Sequence, residues 1–147
     1  MYLHKRIYVG ANYEHNNVTG TVELYKDGKV MDIPLNKIVS IKLDCAYWRK
    51  ANHIHKWFVE NVQDNNDDCE EYYVSVDKIR ELISTCQKVL ENHLLASELL
   101  PTTKGFFFGG TDYDEYYYKD IEDTVEMLTT ALEQDIPFAE YVYQSSW

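Results

Sequence analysis

Residues 47–62 read YWRKANHIHKWFVENV, and the fold is worked outward from this stretch. At 100° per residue it separates into two faces as a helix. Tyr47, Ala51, Ile54, Phe58 and Val62 share one face, widened by Trp48 and Val59. Arg49, His53, Lys56 and Glu60 lie opposite, with Lys50 and Trp57 between the faces. Each large aromatic on such a helix buries a large area, so the segment reads as the organiser of the core. Its polar face is also the most basic run in a chain of net charge −11.

Upstream, residues 1–43 read as a β-rich part. Lys5 to Val9 suits a short strand. Thr21 to Tyr25 and Lys29 to Ile33 flank Asp27-Gly28, a strong hairpin signal because both positions tolerate positive φ. Pro34 ends the return strand, and Lys37 to Leu43 offers another. A sheet of three or four short strands needs a helix over its apolar face, and the Tyr47 segment follows directly.

Downstream, residues 44–147 read as helical. The polar run Asp64 to Asp68 stops the first helix. Ser75 stands as the N-cap of a second, with Asp77 in its first turn and Ile79, Leu82, Ile83, Cys86, Val89 and Leu90 in helical period. Thr111, Asp114 and Glu115 resemble a third helix start, continued by Tyr117, Ile121, Val125, Leu128 and Leu132. The tail from Phe138 reads as a last helical turn. The expected architecture is a single α+β domain over residues 1–147, a small N-terminal antiparallel β element followed by three main helices.

Composition bounds function. The chain of 147 residues suits one domain, and no apolar run approaches the ~20 residues of a membrane helix. The N-terminus lacks the apolar core and cleavage site of a secretory signal. Cys45, Cys69 and Cys86 lack CxxC spacing and read as reduced thiols of a cytoplasmic protein. Twenty-five acids against fourteen Lys and Arg argue against general nucleic-acid binding. The same surplus leaves open an acidic surface that docks on a basic protein, although solubility alone accounts for such a charge.

Each candidate site has a plainer rival. Arg49, Lys50, His53 and Lys56 offer a phosphate its cations, with Trp57 to stack on a base; charged helix faces are also commonly just solvated. His53 and His55, two residues apart, point to different faces of a helix and form no metal pair. His55 reads better as a hydrogen-bonded core histidine. Asp64, Asn66 and Asp68 begin a calcium-loop pattern that fails at Cys69, where Gly is required, and at Ser75, where Glu is required. Asp67, Asp68, Glu70 and Glu71 supply carboxylates of the kind hydrolases use, yet adjacent acids are ordinary in turns. No GxSxG, Walker A or HExxH is present. The loop Gly105 to Gly110 reads as a turn whose phenylalanines plug the core, or as a lid with glycine hinges. Tyr113 and Tyr116 offer a contact surface, while Tyr117 faces the core.

Several stretches together are similar to a family of small phage and prophage proteins: MYLHKRIYVGANYEH (1–15), YWRKANHIHKWFVENVQ (47–63), DDCEEYYVS (67–75), LLPT (99–102) and GFFFGGTDYDEYYYKDI (105–121). The resemblance covers most of residues 1–132 and assigns no catalytic residue. It implies a setting, a phage accessory protein in the bacterial host cytoplasm. In that setting the expectation is a non-enzymatic, anti-defence binding protein that sequesters a nucleotide-derived signal without a cofactor. Ligand contacts are expected from Arg49, Lys50, His53, Lys56, Trp57, Tyr113 and Tyr116. Two other readings stand beside it: an acidic inhibitor of a host nuclease or regulator, and a metal-dependent nucleotide-processing enzyme using Asp67 to Glu71. A homodimer suits all three.

Overall fold

The computed structural model describes residues 1–9, 20–105, 109–134 and 136–146. Along the chain lie β1 (Tyr2–Tyr8), β2 (Thr21–Lys26), β3 (Lys29–Pro34), β4 (Ser40–Tyr47), α1 (Asn52–Asn61), β5 (Tyr72–Val74), α2 (Val76–Glu91), α3 (Ala96–Leu99), α4 (Glu115–Glu133) and β6 (Glu140–Gln144). The class is α+β, but the arrangement differs from the sequence reading in three respects.

First, the main sheet is not an N-terminal unit. Its order is β4-β1-β6-β5, antiparallel throughout, with Tyr2 opposite Tyr47 on one side and Gln144 on the other. The tail expected to be helical is therefore a strand, placed next to the first strand by pairing that no local pattern announces. Second, the described residues hold four α-helices, not three, because the chain before Pro101 adds the short α3. Third, the Asp27-Gly28 hairpin forms as read, with Asp27 at φ 51° and Gly28 at φ 73°, but β2 and β3 make a separate two-stranded sheet with no buried residue.

The helices cover the face of the main sheet that carries Leu3, Lys5, Ala46, Tyr141 and Tyr143, all buried. Phe58 of α1 stacks on Tyr143, rings 3.9 Å apart and nearly parallel. Helix α2 contributes Ile79, Leu82, Cys86 and Val89, a stripe at helical spacing. The Ser75 hydroxyl caps it by accepting from the Lys78 amide at 3.2 Å. Helix α4 adds Tyr117, Ile121, Thr124, Leu128 and Ala131. Its C-terminal carbonyls are met from the sheet: the buried Lys5 ammonium donates to Ala131 O and Gln134 O, and the Tyr141 hydroxyl also donates to Ala131 O. A cation at that end of a helix opposes the negative pole of its dipole. No helix among the described residues is long and apolar enough to cross a membrane.

The decisive stretch is divided. Tyr47 ends β4 and is half-exposed, Lys50 turns the chain at φ 65°, and the helix begins only at Asn52. Trp48, in the connection, is pinned by its indole N–H on the Thr124 hydroxyl at 2.8 Å and by reciprocal bonds between its backbone and Met1.

Candidate functional site

Helix α1 has no solvated polar face in its first turns. Asn52, His53, Ile54, His55, Trp57 and Phe58 are all buried. This corrects the wheel, which set His53 opposite the apolar face and left Trp57 between faces. The cause is nonlocal: the sheet covers one side of α1, and Tyr117 of α4 lies over His53 with ring centroids 4.3 Å apart. A polar group enclosed in this way needs a hydrogen-bond partner. Asn52 donates to Gly110 O at 2.9 Å and accepts from the Thr103 amide at 2.7 Å. His55 meets the Tyr143 hydroxyl through Nδ1 at 2.8 Å and Asp67 through Nε2 at 3.1 Å, as a core histidine does. His53 differs. It is 3% exposed, and its Nε2 has no partner among the described residues.

His53 lines a cleft of about 280 Å³ together with Arg49, Lys50, Asn52, Gly109, Gly110, Asp112, Asp114, Tyr116, Tyr117 and Asp120. Its size lies near the lower end for small-molecule sites. One wall is the start of α1. There Ala51 occupies the cap position with no side-chain acceptor, and no acid stands in the first turn. The Asn52 amide is taken by Lys50 O at 2.9 Å, so this end offers a ligand or water the amides of His53 and Ile54 and the positive end of the helix dipole. Arg49 and Lys50, both exposed, immediately precede this end; neither joins an ion pair among the described residues.

The opposite wall is the start of α4 and the segment before it. Asp114 caps α4 by accepting from the amides of Tyr116 and Tyr117, each at 3.1 Å. Asn52 holds the two sides of the preceding loop, assisted by Thr102 donating to Thr111 O at 3.0 Å. Gly109 is required there, because a Cβ would lie 3.0 Å from Lys50 O. Phe106, Phe107 and Phe108, expected to plug the core or form a lid, lie outside the described residues.

Three titratable groups of the cleft are displaced from their ordinary values, among them the Tyr117 hydroxyl, which burial pushes well up. Burial lowers the His53 imidazole to about 4 and so keeps it neutral. Burial, reinforced by the charges of Asp123 and Asp114, raises the Asp120 carboxyl to about 6. Perturbed groups that share a cleft with cations and an open helix end are a mark of a functional site.

The seven expected ligand residues therefore divide. Arg49, Lys50, His53 and Tyr116 come together in this cleft. Lys56 and Trp57 line a second cleft of about 210 Å³ on the other side of His53. There Lys56 pairs with Glu60 at 3.5 Å, and Trp57 is 6% exposed, edge-on to Phe58; it presents little ring for a base. Tyr113 packs edge-on against Tyr117 at 4.9 Å and does not line the first cleft. Asn52, Asp112, Asp120 and Tyr117 were absent from the sequence-based set. Only Asp114, read as part of a helix start, carried a local signal.

The acidic turn is occupied by internal bonds. Asp67 meets His55, Asp68 accepts from the Tyr72 hydroxyl at 2.8 Å and the Glu70 amide at 3.0 Å, and Glu71 meets Arg6 and Lys42. Among the described residues no group of three or more His, Cys, Asp or Glu side chains is placed to hold a metal ion. No family model, curated protein or solved structure matches this chain.

Proposed function

We propose that this is a binding protein that takes a nucleotide-type ligand, phosphate first, into the cleft at the start of α1. The observation that carries the reading is the uncapped N-terminus of α1, flanked by unpaired Arg49 and Lys50 and by the unpartnered His53 Nε2. Helix amides and a positive dipole end form an anion site without further machinery, and the two cations add charge-assisted bonds. Tyr116, 72% exposed at the rim, offers a ring for a base to stack on. The proposed role is sequestration of the ligand without turnover. The resemblance to phage proteins supplies the setting, in which a phage accessory protein withholds a nucleotide-derived signal from a host defence.

The two rival readings rest on the acidic turn. Three of its carboxylates, Asp67, Asp68 and Glu71, are already bonded to His55, Tyr72, Arg6 and Lys42, which leaves these three poorly suited to a metal or a basic partner.

The test is a thermal-shift and calorimetric screen against linear and cyclic nucleotides, followed by the R49E/K50E variant. Loss of two charge-assisted contacts should weaken binding by about a hundredfold or more. The melting temperature without ligand should stay within a degree or so, because both side chains are exposed and unpaired. A ligand that binds the double variant undiminished would overturn the assignment.

A further inference from the structure

The cleft offers few positive groups and many acceptors, and this imbalance restricts what enters it. Two cations, Arg49 and Lys50, stand against three carboxylates, Asp112, Asp114 and Asp120. The positive groups are all at one end, where α1 begins. The carboxylates lie on the α4 side, and a carboxylate accepts hydrogen bonds but gives none when ionised. Asp114 has its capping bonds to the Tyr116 and Tyr117 amides. Asp112 and Asp120 join no ion pair among the described residues. Among the described residues five buried side-chain atoms lack a hydrogen-bond partner, and His53 Nε2 is the one that belongs to a residue lining this cleft, a second observation beside the helix end that points to a ligand atom.

Resting on the phosphate-first reading of this cleft, we infer that it selects a ligand carrying one phosphate ester on a group rich in hydroxyl or amino donors, and that it rejects nucleoside polyphosphates. The single phosphate occupies the α1 end with Arg49 and Lys50. The ligand's donors face Asp112 and Asp120, and one polar atom of the ligand completes the bond that His53 lacks. A neutral His53 adds no charge for a second phosphate. Each additional phosphate would extend toward carboxylates with no cation to meet it, and juxtaposed like charges at a desolvated contact are strongly unfavourable. Lys56, the next cation along α1, is on the far side of His53 and paired with Glu60.

The experiment is calorimetric titration of the full chain with the ribonucleoside 5′-monophosphates, the 3′,5′-cyclic monophosphates, the triphosphates, the free nucleosides and inorganic phosphate, each with and without Mg²⁺. At least one monophosphate or cyclic monophosphate should bind about tenfold or more tightly than its triphosphate, its nucleoside and inorganic phosphate. D112N/D120N should narrow the monophosphate-to-triphosphate gap by strengthening the triphosphate. D112N alone, at an exposed position, tests the same point if the double variant does not fold. A triphosphate that binds as tightly as the monophosphate in either condition overturns the selectivity and leaves the phosphate site standing. A gap unchanged in a folded D112N/D120N or D112N protein does the same. Binding by no phosphate-bearing member of the panel overturns both this inference and the reading beneath it.

Discussion

The two ends of α1 are finished in different ways. At its C-terminal end the chain turns back on itself. The amides of Val62 and Gln63 donate to Phe58 O, and that of Asn65 donates to Val59 O. Asp64 and Asn65 adopt positive φ to allow this, and Asp67 reaches back to His55 in the helix. This closure follows the usual logic of helix C-termini, where left-handed residues bring amides onto the last carbonyls. At the N-terminal end the corresponding devices are missing. Ala51 cannot cap, the first turn has no acid, and the nearest charges are two unpaired cations. The acidic run of the sequence looked as eligible for function as the basic one. What separates them is whether each polar group already has a partner. The acidic turn holds the fold together, and the basic end is left open.

If that contrast holds, the largest effect should appear in the acid dependence of stability, through the one buried group at the open end that lacks a partner. His53 has its pKa lowered by burial to about 4 in the folded chain, against 6.5 for an ordinary imidazole. Between these values the unfolded chain binds a proton that the folded chain refuses. The His53 contribution is therefore complete above pH 6.5 and is lost as pH falls toward 4. The shift corresponds to about 3 kcal/mol across that window. Asp120 acts in the opposite sense: its raised value, about 6 against 3.8, favours the folded state at low pH and withdraws that benefit as pH rises through 6. Between about pH 4 and 6 the two trends nearly cancel, so urea titrations at several pH values should show little net slope from this pair in wild type, stability falling with pH in H53N and rising with pH in D120N. A slope equal in wild type and H53N would mean that His53 is not held neutral by the cleft.

A smaller effect is expected at the closed end. D67A removes the partner of His55 Nε2 from a helix whose surroundings are otherwise buried. An unmet buried group of this kind costs roughly 1–3 kcal/mol, and water reaching through the exposed side of Asp67 should keep the loss toward the lower figure. Denaturant unfolding should register it. Ligand affinity in the first cleft should not change, because neither Asp67 nor His55 lines it. An equal loss of affinity would mean that the two ends are coupled and that the comparison drawn between them is wrong.

How much of this was legible in the sequence depends on the range of the cause. The hairpin followed from Asp27-Gly28, the start of α2 from Ser75, and the hydrogen-bonded character of His55 from its place among aromatics, since each signal lies within a few residues of its effect. The start of α1 was misplaced by about a turn because Tyr47 and Trp48 fit the helical period equally well as the end of a strand. The pairing of β1 with β6 joins residues at opposite ends of the chain, and no local pattern reports that. The cleft was half visible. Arg49, Lys50 and His53 are neighbours in sequence, so their clustering was readable. Asp112 and Asp120 join them only because Asn52 and Gly109 bring the α4 start against α1, a contact that depends on the finished fold. The burial of Trp57 and the pairing of Lys56 with Glu60 have the same origin.

The smallest effect concerns an ion pair of the acidic turn and shows how differently like-looking charges behave. Glu71 meets Lys42 from β4 and Arg6 from β1, the latter at 3.0 Å, and so ties the segment before β5 to two strands of the sheet. The bond from Lys42 lowers its pKa below the ordinary glutamate value, and the charges of Lys42 and Arg6 add to this. Glu71 therefore contributes stability that is present above the ordinary glutamate value and fades as pH falls below it. The partners are partly open to solvent, so E71Q should cost no more than about 1 kcal/mol at neutral pH, and added salt should shrink even that. The same salt should weaken ligand binding at Arg49 and Lys50 far more steeply, because there the charges meet a ligand from solution and not a fixed neighbour. Comparing the salt dependence of the E71Q stability loss with that of ligand affinity would thus separate a charge that holds the chain from a charge kept free for a partner. If both fade in parallel, the open end of α1 is no different in kind from the closed one.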